Sequence, residues 1–510
     1  MGNHDPLADP STDDVSKAYG HDATLTLGKD ISLTLGTDAL IVLDESYQKR
    51  DRDDCCGFLR QAGKKATRAI PFYNVLWVEV SERALSIQYA KPTSKTVVVA
   101  DTVQYAIDEV TRPPVTIWAG RLLERAYGPS QKVKRLKVLV NPFSGTGGAQ
   151  KWYAREIEPL FRAAQCAIDV EQTQFQGHAV DIAKELDIDA YDVIVSCSGD
   201  GLPHEVFNGL GQRQDAKKAL AQVALAQLPC GSGNAMSWNL YGTDSPSLAA
   251  LGVIKGLRTP LDLVSITQDH RRTLSFLSQS VGVVAETDLG TENLRWMGGA
   301  RFTFGFLVRL LGKTVYPCDI AIQVEVPDKV AIRGKFRQEL GNLTPAEERR
   351  DDPSTSSTAD MDQEGLPPLR YGTVTDDLPS GWAMVPYDKL GNFYAGNMAY
   401  MAADANFFPA ALPNDGCLDL VCIDGDISRL AAIQALTAVG KGTFFDMDQV
   451  SYRKILGYRI IPRGRDSGYI SIDGERIPFE PFQAEVHRGL GTVLSKSGHL
   501  YEAEGVEPKA

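Results

Sequence analysis

The sequence predicts an α/β protein with β-rich regions on both sides, and three observations lead to this fold class. Between residues 131 and 257, short apolar runs alternate with Gly-rich turns and helical patterns, which is typical of a mainly parallel sheet. Residues 22–130 contain short strands between turn signals. Residues 258–510 return to strands, interrupted by two helical stretches. We therefore expect three modules, preceded by a polar and disordered tail over residues 1–21.

Composition and charge narrow the class of protein. A hydrophobic content of 43% and a charged content of 23% are ordinary for a soluble globular protein. The formal net charge of -12 argues against general nucleic-acid binding, which needs clustered Lys and Arg. No apolar run reaches the 18 residues of a membrane-spanning helix, and the N-terminus has no signal-peptide core. The eight cysteines follow no metal-binding or disulfide spacing, so we expect a reducing, cytoplasmic setting.

The N-terminal module, residues 22–130, combines short strands with one closing helix. The helix is expected from about Val115 to Tyr127, because Trp118, Leu122 and Ala126 recur at helical spacing. Strands closed by a single C-terminal helix resemble a pleckstrin-homology-like (PH-like) module.

The α/β module, residues 131–257, repeats one unit three times: an apolar strand, a Gly-rich turn and a helix. Backbone N–H groups at such turns and at helix N-termini form anion cradles, and glycine lets the anion approach closely. Because the carboxyl ends of parallel strands share one edge of a sheet, the three turns predict a phosphate-rich ligand there. The turns are Asn141–Gly148, Ser198–Gly201 and Cys230–Asn234.

The C-terminal module, residues 258–510, reads as strands with helices at about Asn293–Leu311 and Ser428–Lys441. Within it, residues 340–380 are acidic, rich in Ser, Thr and Pro, and poor in apolar residues. We expect this segment to be a disordered insertion.

The Gly-rich motifs resemble those of a known family. NPFSGTGG, SGDGLPHEVFNGL and LPCGSGNAMSWNL are similar to lipid kinases with the diacylglycerol-kinase catalytic fold, and more closely to sphingoid long-chain-base (sphingosine) kinases. The similarity covers about residues 132–320, then Tyr387–Ala411 and Tyr452–Val486. It implies a nucleotide-binding α/β domain, a C-terminal β-sandwich, and an active site with ATP and Mg²⁺ in the cleft between them.

The resemblance assigns roles to the turn residues. Asp200 would be the general base that accepts the proton of the substrate hydroxyl group, which suits a carboxylate within hydrogen-bond reach of that group. Its alternative is an ordinary turn aspartate. Substrate contacts would come from Ser198, Gly199, Asp200 and Gly201. Nucleotide contacts would come from Asn141, Pro142, Phe143, Thr173, Glu205, Gly231, Ser232 and Gly233.

Later residues complete the expected site. Asp288 matches the family aspartate that binds the cationic amine of a sphingoid base, although an acid near a helix N-terminus can also be purely structural. Arg295 and Arg301 match arginines that reach the ATP phosphates, and Phe302 lies near the expected acyl-chain pocket, with a core residue as its alternative. The turn Asp473-Gly474-Glu475 would return to the nucleotide, with a simple β-turn as its alternative.

The combined expectation is an ATP-dependent kinase of sphingoid bases that requires Mg²⁺, whose direct ligands the sequence leaves unknown. It would be cytoplasmic and peripherally associated with membranes, because its substrate lives in bilayers. Two other classes stay open: a diacylglycerol or ceramide kinase, whose neutral substrate would not need Asp288, and a catalytically inactive lipid-binding scaffold. Related nicotinamide or sugar kinases are disfavoured by the pattern around Asp288.

Overall fold

A computed structural model describes residues 23–44, 67–290, 314–341, 364–440, 442–465, 467–503 and 505–506. The chain divides into two compact units. The first contains residues 1–133 with 159–166, and the second contains residues 134–158 with 167–510. The predicted tail over residues 1–21 lies outside the described residues.

The first unit contains two antiparallel meanders followed by a helix, in the order that the sequence predicts. Alternate strand residues such as Leu33, Leu40 and Leu85 are fully buried, as expected for sheets with one covered face. Trp118 and Leu122 of the helix are also buried. The first sheet is β1 (Thr24–Leu27), β2 (Ile31–Leu35), β3 (Ala39–Asp44) and β4 (Thr67–Pro71); the second is β5 (Val75–Val80), β6 (Ala84–Pro92) and β7 (Val98–Ala106); the helix is α1 (Arg112–Tyr127).

The second unit begins with the predicted parallel sheet. Its strand order is β11-β10-β8-β9, and all three pairings are parallel. Every residue of β10 and β11 is buried, because a central parallel strand is covered on both faces. The strands are β8 (Arg135–Val140), β9 (Ala167–Gln172), β10 (Val193–Ser198) and β11 (Ala224–Pro229).

Helices connect these strands. A helical segment after β8 consists of α2 (Ala149–Trp152), a π-helical turn (Tyr153–Ile157) and α3 (Glu158–Ala163). The other helices are α4 (His178–Glu185), α5 (Gly201–Gly211), α6 (Ala216–Gln222), α7 (Ala235–Tyr241) and α8 (Pro246–Lys255).

The β-rich part continues the same hydrogen-bonded sheet. The long strand β24 (Phe482–Ser495) pairs antiparallel with β12 and β21, and it touches β11 in parallel through Val493 and Leu225. The result is a mixed sheet of 15 strands among the described residues. The other strands of this sheet are β12 (Leu257–Gln268), β13 (Arg271–Ser275), β14 (Ser278–Gly282), β15 (Cys318–Val326), β16 (Val385–Tyr387), β17 (Leu390–Gly396), β20 (Leu418–Asp424), β21 (Ser451–Pro462), β22 (Ile470–Ile472) and β23 (Glu475–Ile477). The short strands β18 (Tyr400–Ala402) and β19 (Ala405–Asn406) form a separate two-stranded sheet.

Among the described residues, this part has three α-helices: α9 (Val283–Gly290), α10 (Lys329–Gly341) and α11 (Arg429–Gly440). The sequence predicts α11, but the run TLSFLSQSVGVVAE reads as a strand as far as Glu286 and so extends into the first half of α9. The strand ends at Gly282, whose φ of 108° is a conformation that favours glycine. The Asn392 side chain then accepts a hydrogen bond from the N–H of Val284 (3.0 Å), which stabilises the start of α9.

Part of the insertion predicted to be disordered is ordered in the structure. Residues 364–380 lie against the sheet, whereas residues 342–363 are outside the described residues. Glu485 accepts hydrogen bonds from the N–H groups of Arg370 and Tyr371, each at 2.9 Å. Arg459 donates to the carbonyl groups of Thr373 and Asp376. Buried polar side chains of the sheet therefore bind the backbone of this segment.

Candidate active site

The three Gly-rich turns meet at the carboxyl edge of the parallel sheet. A Cβ atom on Gly231 would lie 2.2 Å from the Cα of Gly199, and one on Gly145 would lie 3.0 Å from the carbonyl oxygen of Cys230. The Ser144 hydroxyl accepts a hydrogen bond from the N–H of Gly199 (3.0 Å). The turns thus pack backbone against backbone, which only glycine permits at these positions.

Asp200 lies at the centre of this junction, directly before α5. Its Oδ2 accepts a hydrogen bond from the N–H of Ala235 (2.9 Å), and its Oδ1 accepts one from the N–H of Met236 (3.0 Å). Oδ1 also accepts a bond from the side-chain amide of Gln227 (3.2 Å). The carboxylate therefore joins the turn after β10 to the first turn of α7.

Burial raises the pKa of Asp200, and the negative charge of Asp473 acts in the same direction. The bonds from Met236, Ala235 and Gln227 oppose this rise without cancelling it. A higher pKa makes a carboxylate a better proton acceptor. Three bonds leave about one of its four acceptor positions for a further donor, such as a substrate hydroxyl group.

The turn Cys230–Asn234 closes over Asp200. Asn234 binds Gly231 twice, because its Oδ1 accepts from the Gly231 N–H and its Nδ2 donates to the Gly231 carbonyl group, each at 3.0 Å. A Cβ on Gly233 would lie 3.3 Å from Asp200 Oδ2. The expected phosphate cradle is therefore held in shape by its own asparagine, next to the expected base.

The first turn and the end of β9 place the other expected nucleotide residues. Asn141 Oδ1 accepts a hydrogen bond from the N–H of Phe143 (3.0 Å), which fixes the turn around Pro142. The Phe143 side chain is 79% exposed, so it is available to a ligand. Thr173 is buried, and its N–H donates to the carbonyl group of Val140 (3.0 Å).

Glu205 makes contacts that the sequence does not indicate. Its two carboxylate oxygens accept hydrogen bonds from the N–H groups of Gly177 (3.0 Å) and Ala179 (3.1 Å). These groups lie at the N-terminus of α4, where backbone donors lack helical partners. Glu205 therefore connects α5 to α4, and its predicted part in the nucleotide pocket stays a prediction.

Asp473 is more deeply bound than a simple β-turn residue. Its side chain is fully buried and its φ is 54°. The carboxylate accepts bonds from the Ser275 hydroxyl (2.6 Å), from the N–H groups of residues 276, 277 and 278, and lies 2.8 Å from His204 Nδ1. This makes Asp473 the anchor of its turn. Glu475, two residues later, reaches α5, since a Cβ on Gly201 would lie 3.0 Å from Glu475 Oε1.

Arg295, Arg301 and Phe302, with the predicted helix at Asn293–Leu311, lie outside the described residues. Asp288 lies in α9, but its side chain is outside the described set.

Beside α9, the Tyr316 hydroxyl group donates a hydrogen bond to Glu286. Val283 of α9 packs with Tyr316, Ala432 and Ile427.

A groove of about 860 Å³ opens in the β-rich part, next to this cluster. Its volume lies within the range of small-molecule pockets. Aliphatic side chains of β15 and β20 line it, with Asp424, Asp448 and Arg453 among its polar residues. Ile427 belongs both to the groove and to the cluster around Val283, which places the groove beside α9.

The expected Mg²⁺ ion would need ligands at this junction. Among the described residues, no group of three or more His, Cys, Asp and Glu side chains could hold a metal ion. Mg²⁺ is commonly held by one or two carboxylates together with substrate phosphates. Such an ion would be held mainly by the nucleotide, near Asp200 and Glu475, and would neutralise phosphate charge.

Comparisons with known proteins identify the family. A family model described as diacylglycerol kinase catalytic domain matches residues 135–266, and one described as domain of unknown function (DUF7493) matches residues 23–128. Sphingoid long chain base kinase 4 of Schizosaccharomyces pombe is 34% identical, covering 85% of this chain and 89% of that protein. The chain belongs to the sphingoid long-chain-base kinases.

Two further relatives agree with this assignment. Sphingoid long chain base kinase 5 of Saccharomyces cerevisiae is 36% identical over 75% of this chain, which spans 62% of that protein. Sphingosine kinase 1 of Arabidopsis thaliana is 29% identical, over 71% of this chain and 75% of that protein. Family membership confirms the prediction of a lipid kinase, a phosphotransferase that uses ATP. No described helix is both long enough and apolar enough to span a membrane.

Proposed function

We propose that this kinase transfers the γ-phosphoryl group of ATP to the primary hydroxyl group of sphingosine, dihydrosphingosine or phytosphingosine, with Asp200 as the general base. The observation that carries the proposal is the position of Asp200. Its carboxylate lies where three Gly-rich turns meet, and burial raises its pKa. Membership of the sphingoid long-chain-base kinases supports the substrate class.

Phosphoryl transfer requires the enzyme mainly to position the reactants and to neutralise charge. Backbone N–H groups of the turns at Asn141–Gly148 and Cys230–Asn234 would bind the phosphates. Arg295 and Arg301 would add fixed guanidinium donors. When bound, Mg²⁺ supplies further neutralisation of the phosphate charge. Asp200 would take the proton of the attacking hydroxyl group as the new bond forms.

The substrate would lie along α9. Asp288 would hold the cationic amine by a charge-assisted hydrogen bond. The groove beside α9 offers aliphatic side chains of β15 and β20 to the hydrocarbon chain, and Phe302 would contribute to the same pocket. Because such lipids reside in bilayers, we propose that the enzyme works in the cytoplasm, peripherally associated with membranes.

The test is an assay of the purified full chain with labelled ATP, Mg²⁺ and four lipids: sphingosine, phytosphingosine, ceramide and diacylglycerol. We expect phosphorylation of the free bases alone. We expect Asp200→Asn to lower kcat 10²- to 10⁴-fold, the range for loss of a general base. Thermal unfolding and binding of a non-hydrolysable ATP analogue would show that the variant is folded. Activity on ceramide or diacylglycerol alone would replace the proposed substrate, and no activity on any lipid would refute the kinase.

The role of Asp288 has its own test. Asp288→Asn keeps the size of the side chain but removes the charge that would pair with the amine. We expect KM for sphingosine to rise at least tenfold while KM for ATP stays within twofold. Unchanged KM for sphingosine would refute recognition of the amine by Asp288.

A further inference from the structure

Helix α5 carries two polar side chains that the proposed mechanism does not use. His204 and Asn208 are four residues apart, so they share one face of the helix. Asn208 Nδ2 donates to the carbonyl group of Leu274 (2.9 Å), and the Leu274 N–H donates back to Asn208 Oδ1 (2.9 Å). His204 Nδ1 lies 2.8 Å from Asp473 Oδ2. This face therefore fixes α5 to the end of β13 and to the turn after β22.

The bond between His204 and Asp473 is shielded from solvent. The His204 side chain is 13% exposed and that of Asp473 is 0% exposed. Burial alone would lower the pKa of His204, but the hydrogen bond and charge of Asp473, with the charges of Glu475 and Glu205, outweigh burial and raise it. Among the described residues, the charged groups that act most strongly on the imidazole are the acids Asp473, Glu475 and Glu205. The acidic neighbours of His204 therefore favour the protonated imidazole, and in that form its bond to Asp473 is charge-assisted.

Each residue of the His204–Asp473 contact lies close in the chain to a residue of the candidate active site. His204 is four residues after Asp200, near the start of the helix that Asp200 precedes. Asp473 holds the turn that places Glu475 beside Gly201. A change at His204 can therefore move the turn Asp473–Glu475 relative to the turn Ser198–Gly201, although His204 itself would not contact the nucleotide.

We propose that His204 is a positioning residue of the kinase reaction: by holding Asp473, it keeps the turn Asp473–Glu475 in place against the start of α5, beside Asp200. This inference rests on the proposed function for its catalytic consequence. It predicts that ATP use weakens as pH rises and His204 loses its proton, because the bond to Asp473 then loses its charge assistance.

Three substitutions separate the parts of this role. In His204→Asn, the side-chain Nδ2 can occupy nearly the position of imidazole Nδ1, so a neutral donor remains. His204→Gln places its donor one carbon further out, and His204→Ala removes it. His270→Gln is the matched control, because His270 is 88% exposed in the turn between β12 and β13.

The experiment measures kcat and KM for ATP from pH 6 to 9, together with binding of a non-hydrolysable ATP analogue by thermal shift, on the full chain. We expect His204→Gln and His204→Ala to raise KM for ATP about tenfold, the equivalent of one charge-assisted bond, with kcat within threefold. At pH 8.5, His204→Asn should bind the ATP analogue nearly as tightly as wild type does. The affinity of wild type should fall between pH 6 and 9, whereas that of His204→Asn should stay constant. His270→Gln should match wild type throughout.

Other outcomes overturn the proposal. Affinity for the ATP analogue within twofold of wild type in folded His204→Gln would refute it, as would an unchanged pH profile in His204→Asn. If His204→Gln fails to fold, the pH profile of His204→Asn still tests the proposal. Because analogue binding needs no lipid, the proposal can be judged even if wild type phosphorylates no sphingoid base, a result that refutes only the proposed function.

Discussion

The turns after β10 and β22 each place an aspartate next to a glycine, but the two carboxylates have different surroundings. Asp200 accepts three hydrogen bonds and retains room for another donor. Asp473 takes part in five, which exceeds the usual capacity of a carboxylate. Similar short motifs thus give one group that can meet a substrate and one that holds the protein together. The number of donors around a buried carboxylate separates the two functions.

The largest predicted effect tests this comparison by measuring the stability and the activity of one variant at each aspartate. Asp473→Asn would place an amide N–H₂ group against buried donors, so we expect a loss of about 3–5 kcal/mol in the free energy of unfolding. Asp200→Asn should lose at most about 2 kcal/mol but nearly all kcat. Denaturant unfolding and initial rates measure both quantities. Equal stability losses in the two variants would contradict the distinction.

A third buried carboxylate, that of Asp262, has fewer hydrogen-bond donors around it than Asp200 or Asp473. Asp262 accepts only two hydrogen bonds in the described structure, from the N–H groups of Gly416 (2.6 Å) and Gly489 (2.7 Å). Burial, with the charge of Asp415, raises the pKa of Asp262 to about 7, against the opposing effect of those two bonds and Arg488. Fewer donors therefore accompany a carboxylate that prefers to be protonated.

The sign of the pH dependence follows from that shift. Between pH 4 and 7 the folded state keeps the proton of Asp262 that the unfolded state has lost, so this group's contribution to stability falls as pH rises. The fall amounts to about 4 kcal/mol and is complete above pH 7. We expect Asp262→Asn to remove this slope in urea unfolding measured from pH 4 to 8. A wild-type minus variant difference that is constant across this range would refute the shift.

Local patterns in the sequence predicted the parallel sheet and its three turns, because apolar runs and glycines report directly on strands and on close backbone contacts. They did not predict that Asp473 would bind the segment 275–278, since those residues lie about two hundred positions away in the chain. The same holds for His204, whose partner is also Asp473. The helical spacing of His204 and Asn208 was the available signal. The start of α9 depends on Asn392, which no local pattern reveals.

The smallest predicted effect concerns Glu205, whose two oxygens bind N–H groups at the start of α4. In Glu205→Gln one oxygen remains as an acceptor, while the new N–H₂ group faces a backbone donor. We expect a loss of about 1 kcal/mol in unfolding free energy, as for loss of a helix cap, and KM for ATP within threefold of wild type. Asp181→Asn is the control, because Asp181 is an exposed acid in the first turn of the same helix and should cost only a few tenths of a kcal/mol. A tenfold rise in KM for ATP with unchanged stability would instead place Glu205 in direct contact with the nucleotide. Glu205 would then resemble Asp200, whose carboxylate can meet a ligand, rather than Asp473, whose carboxylate anchors the protein.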